Sequence, residues 1–193
     1  MNKNLLFKLL LAFGMILVLT VGCFSRGDTQ SMDGDLARYE QAMREFSGHG
    51  DGIEIGLARF AKAYADLTDP GLEALISELY AERLFFNDTL HSFDNRANLV
   101  QYMTKTGASL SHSEIEIQQV LREGNDVFVR WTMEFRTRAV GRDIHSQSIG
   151  MTHLRFNADG QVVLHQDFWD SGHALYAHLP FVGFAVRRAR SRM

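Results

Sequence analysis

The chain has 193 residues, 46% of them hydrophobic, enough for one domain with a sizeable core plus extra segments. A formal net charge of -3 argues against a general nucleic-acid binder, which would be basic. The single cysteine, Cys23, excludes an intramolecular disulfide.

In chain order, the first element is a targeting segment outside the fold. Lys3 and Lys8 supply positive charge, and Leu9 to Gly22 is apolar and uncharged. The stretch ends Thr20-Val21-Gly22-Cys23 and resembles a bacterial lipoprotein signal, in which the cysteine is lipidated and becomes the new N-terminus. An uncleaved signal anchor is the alternative, because Leu5 to Gly22 is 18 residues and about 20 apolar residues span a bilayer. Phe24 after the cysteine, by the same resemblance, implies an outer-membrane location in the cell envelope, facing the periplasm. Residues 24–50 read as a polar tether with a short helix from Asp35 to Phe46.

The folded domain is expected over residues 51–180. Asp51 with Glu54 three residues on fits a capping box, and Ile53, Leu57, Phe60, Ala61, Tyr64 and Leu67 form one helical stripe. Asp69-Pro70 restarts the chain, with Pro70 at the first helical position and Leu72, Leu75, Ile76 and Leu79 as the next stripe. A third helix is expected from about Arg96 to Lys105, with Leu99, Tyr102 and Met103 inward. Strands come next. Asp126 to Arg138 alternates strictly, with Val127, Val129, Trp131, Met133 and Phe135 on one face. Gly150 to Phe156 and Gln161 to Trp169 flank Asn157-Ala158-Asp159-Gly160, a hairpin turn ending in glycine. On the last strand, hydrophobicity alone would bury Val162, Leu164 and Phe168. The opposite choice buries His165, Asp167 and Trp169, and alternation does not choose the face. Helices followed by an antiparallel meander make the class α+β.

Two fragments carry a family resemblance: Leu79-Tyr80-Ala81-Glu82 running into Leu84-Phe85-Phe86-Asn87-Asp88, and Thr152-His153-Leu154-Arg155-Phe156-Asn157 through Gly160-Gln161-Val162-Val163. In this order and spacing the chain from about Phe60 to Asp170 resembles the ketosteroid-isomerase and SnoaL-like proteins of the nuclear transport factor 2-like superfamily. The resemblance implies a curved antiparallel sheet and three helices forming a cone around an apolar pocket. Ketosteroid isomerases place a base aspartate, a tyrosine and a protonated aspartic acid in that pocket. Carried over by position, the base falls on Asp88, the tyrosine on Tyr64 and the acid donor on Thr152, a weaker donor than a carboxylic acid. The resemblance also turns His165, Asp167 and Trp169 toward the pocket, where His165 and Asp167 would form a second acid/base pair or orient a water. Phe86, Trp131, Met133, Thr152 and Trp169 would touch an apolar ligand. No cofactor is implied. The scattered histidines lack ligand spacing, so no structural metal site is expected. The family's sheet face also serves as a dimer surface.

Residues 181–193 form a basic tail, in which Phe181, Phe184 and Val186 precede or accompany Arg187, Arg188, Arg190 and Arg192. Packing of its apolar side on the sheet is expected, with the arginines solvated near the membrane. The functional expectation is a membrane-tethered domain that binds a hydrophobic small molecule, as a carrier or as a cofactor-independent isomerase or hydrolase. The alternative is a non-catalytic envelope module that dimerises through its sheet.

Overall fold

The computed structural model describes residues 32–139, 141–178 and 182–192. Cys23, the apolar leader and Phe181 lie outside the described residues. The chain divides into two compact units, Met1–Arg38 and Tyr39–Met193. Helix α1, Met32–Glu45, runs across that boundary. The second unit contains every other element.

Helix α2 spans Ile53–Tyr64, α3 Leu72–Leu79 and α4 Arg96–Ala108. Strands β1 (Tyr80–Asn87), β2 (Ser92–Asn95), β3 (Leu110–Glu123), β4 (Asp126–Ala139), β5 (Arg142–Phe156) and β6 (Val162–Trp169) form one sheet in the order β2-β1-β6-β5-β4-β3. The class is α+β, as expected, and the sheet is mixed: β1 runs parallel to β6 and every other pair is antiparallel.

Two helix starts differ from the expectation. Asp51 caps nothing. It lies in a 3-10 turn, Gly50–Gly52, in which the His49 ring accepts from the Asp51 amide, and α2 begins after Gly52 without a side-chain cap. The local reason is space: a Cβ on Gly52 would come within 1.8 Å of the Asn157 carbonyl oxygen, so the helix start is pressed against the β5–β6 turn. Pro70 precedes the next helix instead of opening it. Asp69 accepts from the Gly71 amide at 2.6 Å, forming a turn, and α3 begins at Leu72.

The helix-facing side of the sheet carries the main core. Strand β4 contributes Val127, Val129 and Trp131, as its alternation predicts, and β1 contributes Leu84 and Phe86. Strand β6 shows why alternation could not choose a face. Phe156 pairs with Val162 while Arg155 pairs with Leu164, so Val163 is an extra residue in the ladder. Val162 therefore points inward, Leu164 outward, and His165 inward again, and each is at most 1% exposed.

The outward face is covered too. There Ala42, Phe85 and Leu164 form a second apolar cluster with Tyr39, Met43 and Phe46. Arg155 donates to the carbonyls of Met43 and Phe46, both at 2.8 Å, satisfying the C-terminal end of α1. The helix expected inside the tether thus exists, and from Tyr39 onward it is part of the folded unit.

At the C-terminal end, Asp170 caps the short helix α5, Ser171–Ala174, and accepts from Arg190 at 2.6 Å. Helix α6, Val182–Arg190, leaves Phe184 64% exposed, so the packing expected of that side chain is not formed.

Candidate functional site

A continuous hydrogen-bonded chain crosses the inner core. Tyr64 on α2 meets the hydroxyl of Tyr80 at 2.5 Å, and Tyr80 meets His165 Nδ1 at 2.8 Å. His165 Nε2 lies 2.9 Å from Asp167 Oδ1. From the other side, the Trp131 indole N–H donates to Thr152 Oγ1 at 2.8 Å, and that hydroxyl donates to the same Asp167 Oδ1 at 2.5 Å.

With a neutral imidazole, only one direction satisfies every group. An indole nitrogen only donates and a carboxylate only accepts. Nε2–H must therefore donate to Asp167, leaving Nδ1 to accept from Tyr80, whose oxygen accepts from Tyr64. Two donor chains converge on one carboxylate oxygen, and among the described residues no donor bonds Oδ2. Burial, foremost, and the nearby charge of Asp167 hold Tyr64 well above the ordinary tyrosine range. Burial and its Tyr64 neighbour do the same for Tyr80. Both phenols keep their protons and serve as donors.

Asp88 lies beside this chain. The parallel register pairs Phe86 with His165 and Asn87 with Gln166, one residue short of Asp88 and Asp167. The Trp169 indole N–H donates to the Asp88 carbonyl at 2.8 Å. The Asp88 carboxylate is heavily engaged: Oδ1 accepts from the amides of Leu90 (2.9 Å) and His91 (2.7 Å), and Oδ2 from the Tyr102 hydroxyl (2.5 Å). It is both a turn aspartate and a member of the site. Thr89, at φ 71°, makes the sharp reversal behind it. Burial and the Asp88 charge push Tyr102 upward, keeping it a donor.

The walls are aromatic. Phe86 lies 4.6 Å from the His165 ring, centroid to centroid, and Trp131 and Trp169 stand 6.5 Å apart. Tyr64, Tyr80 and His165 are buried, whereas Asp88, Asp167, Tyr102, Met133 and Trp169 keep partial access to solvent. A cleft of about 790 Å³ lies on the opposite, outer face of the sheet, over Glu114, Glu116, Thr132, Glu134, Gln147 and Ile149, and is bounded by α5 and Arg190. Neither Asp88 nor Asp167 lines it. The Tyr64–Tyr80–His165 chain fills the core on the inner face.

The structure thus brings Tyr64, His165, Asp167, Asp88, Phe86, Trp131, Met133, Thr152 and Trp169 onto one face. Tyr64 does not offer a free hydroxyl, because Tyr80 takes it. Thr152, at the position of the acid donor, spends its proton on Asp167. Two site residues carried no signal as such in the sequence. Tyr80 sits inside a quoted motif, with only its apolar surroundings visible, and Tyr102 read only as an inward helix residue. Among the described residues no group of three or more His, Cys, Asp or Glu is arranged to hold a metal ion.

Residues 59–165 match the family described as SnoaL-like domain. Many solved structures share the fold, among them the following three. An LEH-like epoxide hydrolase from M. tuberculosis is 13% identical, with 67% of this chain and 88% of that one covered at a TM-score of 0.52. A protein from Shewanella denitrificans OS-217, named provisionally as a SnoaL-like polyketide cyclase, is 15% identical, with 62% and 93% covered at 0.54. A protein of ketosteroid-isomerase-like fold from Catenulispora acidiphila DSM 44928, solved in complex with trimethylamine, is 17% identical, with 62% and 88% covered at 0.52. No curated protein matches the chain.

Proposed function

The chain belongs to the SnoaL-like domain family, and on that premise we propose that it is a membrane-tethered domain that binds a hydrophobic small molecule at its inner face, with Asp167 as the proton acceptor. The observation that carries this reading is the convergence of Thr152 and His165 on one oxygen of Asp167, with no donor on the other among the described residues. A carboxylate held in this way is positioned to accept a proton from a ligand or from a water beside it. Asp88, whose two oxygens already hold three donors, is the supporting member of the pair. The tether is a lipid on Cys23, at the end of the apolar leader. Neighbours of this fold include a hydrolase, and one was solved with a small amine bound, which supports a small-molecule partner without naming it.

Trp131 and Trp169 are the chain's two tryptophans, so its indole fluorescence comes from the site. Titration of the purified protein with apolar alcohols, amines and ketones should quench or shift that emission saturably, and Asp167→Asn should change affinity or turnover. Absence of any saturable response across such a panel would overturn the reading. A second reading, a sheet-to-sheet dimer, is favoured by Ile149 and Phe168, 74% and 48% exposed, and light scattering of the purified chain decides it.

A further inference from the structure

The charge of the chain is segregated. Residues 181–193 hold four of its 20 lysines and arginines, Arg187, Arg188, Arg190 and Arg192, and none of its 23 acidic side chains. From Ser171 to Met193 there is no aspartate or glutamate, although the chain as a whole is acidic.

Helix α6, Val182–Arg190, has two unlike sides. At about 3.6 residues per turn, Gly183 and Arg190 share one of them. That side is fastened to the fold: Gly183 is buried, and Arg190 donates to Asp170 at 2.6 Å. Val182, Phe184, Arg188 and Ala189 fall within the other half of the circumference. All four are exposed, Val182 by 46% and Phe184 by 64%. Tyr176, 39% exposed, lies in the 3-10 turn Tyr176–His178, which packs against α6.

Exposed apolar side chains mixed with cations, and with no anion, suit few partners. The acidic cleft of a second copy offers carboxylates, but the Arg190 of its own chain already lines it and bonds Asp170. The boundary of an anionic bilayer offers phosphates and acyl chains together and needs no shaped seat. Under either reading of the leader the approach is short. Residues 24–31 separate Cys23 from the start of α1, and they span roughly 30 Å when fully extended.

We propose, resting on the membrane tether proposed above and not on the small-molecule site, that α6 is a second membrane contact. Its exposed half lies flat on an anionic phospholipid surface, with Val182 and Phe184 at the boundary between headgroups and acyl chains and Arg188 and Arg192 on lipid phosphates. The contact orients the folded unit on the bilayer and does not anchor it alone.

Cys23→Ser with Ala189→Cys leaves one thiol and keeps the apolar leader. The full chain, with the polarity-sensitive dye NBD on that thiol, is incorporated at one copy per nanodisc. The discs are phosphatidylcholine alone or phosphatidylcholine mixed with phosphatidylglycerol. In the mixed discs the dye emission is expected to shift to the blue and to be quenched by nitroxide carried on the acyl chains. In phosphatidylcholine discs, or in mixed discs at about 1 M salt, the dye should stay aqueous. Phe184→Ser with Arg188→Glu, both at exposed positions, should abolish the shift and leave the emission of Trp131 and Trp169 unchanged. An aqueous dye in both lipids, or a shift that survives Phe184→Ser with Arg188→Glu, overturns the α6 contact and leaves the tether standing. An equal shift in both lipids overturns the anionic surface as its partner. A shift that needs two copies per disc assigns the exposed half of α6 to a second copy and overturns the lipid contact. A chain that does not stay in the discs overturns the tether and the α6 contact together.

Discussion

Thr152 joins two demands that are usually met by separate residues. Its hydroxyl accepts from Trp131 and donates to Asp167, with the residue 1% exposed. Thr152→Val keeps the shape and removes both bonds, leaving a buried indole N–H without an acceptor. The expected loss is about 1–3 kcal/mol in a urea melt, and Thr152→Ser should recover most of it. On the opposite face, His153 offers a test of the same kind in pH. Its ring is fully buried, between the Tyr39 hydroxyl at 2.8 Å and Asp126 Oδ1 at 2.6 Å, with Arg155 also on Asp126. Burial, foremost, lowers the imidazole below its ordinary 6.5, the Asp126 bond opposing it. In the window between the lowered folded value and 6.5, the unfolded chain binds the extra proton, so stability rises with pH there and falls as pH drops from 6.5. The melting temperature should decline from pH 7 toward pH 5, and His153→Gln should flatten that decline. An equal decline in the variant would assign the effect to other groups.

Among the elements, the ones legible in the sequence are those with one buried face. Strand β4 alternates because helices cover one side and solvent the other, and α4 reads correctly because Leu99 and Met103 sit against the core. The illegible parts have two covered faces or a broken period. Strand β6 buries Leu164 on one side and His165 on the other around the extra Val163, so no simple alternation describes it. The same double covering hides the role of α1, whose mixed composition reads as a tether while Ala42 is 4% exposed against Phe85 and Leu164. The site was half legible for a related reason: residue types show Asp88 and Asp167, but only the pairing of β1 with β6 brings their strand ends to one side of the sheet, and only the bond directions show which carboxylate oxygen takes no donor. Two predictions belong to this scale. Arg155→Met removes the guanidinium that holds Asp126 and the carbonyls of Met43 and Phe46, and should cost about 1–3 kcal/mol, as leaving such hydrogen-bonding groups without their partner does. Gly56→Ala places a Cβ 2.2 Å from the Phe156 ring and should cost about 1–3 kcal/mol through overpacking between α2 and the sheet. Thermal melts read both, and a neutral Gly56→Ala would show that α2 can move away from β5.

For the whole molecule, the proposed tether raises the question of what would hold the chain at a membrane. Among the described residues no helix is long and apolar enough to cross one. The candidates are a lipidated Cys23 and an uncleaved apolar leader, and they differ in mass, in label and in the effect of one substitution. A lipidated chain loses its first 22 residues, takes up a fatty-acid label, and depends on the Cys23 thiol for both. A signal anchor keeps those residues, takes no label, and is indifferent to the thiol. The tail would add a weaker contribution under that proposal: Phe184 stands exposed on α6, four residues before Arg188, and such a pair falls short of stable anchoring alone. The expected result is that the native chain incorporates an alkyne-tagged fatty acid and fractionates with membranes at the mature mass. Cys23→Ser should incorporate none and accumulate at the precursor mass. Unlabelled native protein at full length in the membrane fraction, unchanged by Cys23→Ser, would assign the anchor to Leu5–Gly22. The inner-face site would then work at the end of a spanning helix.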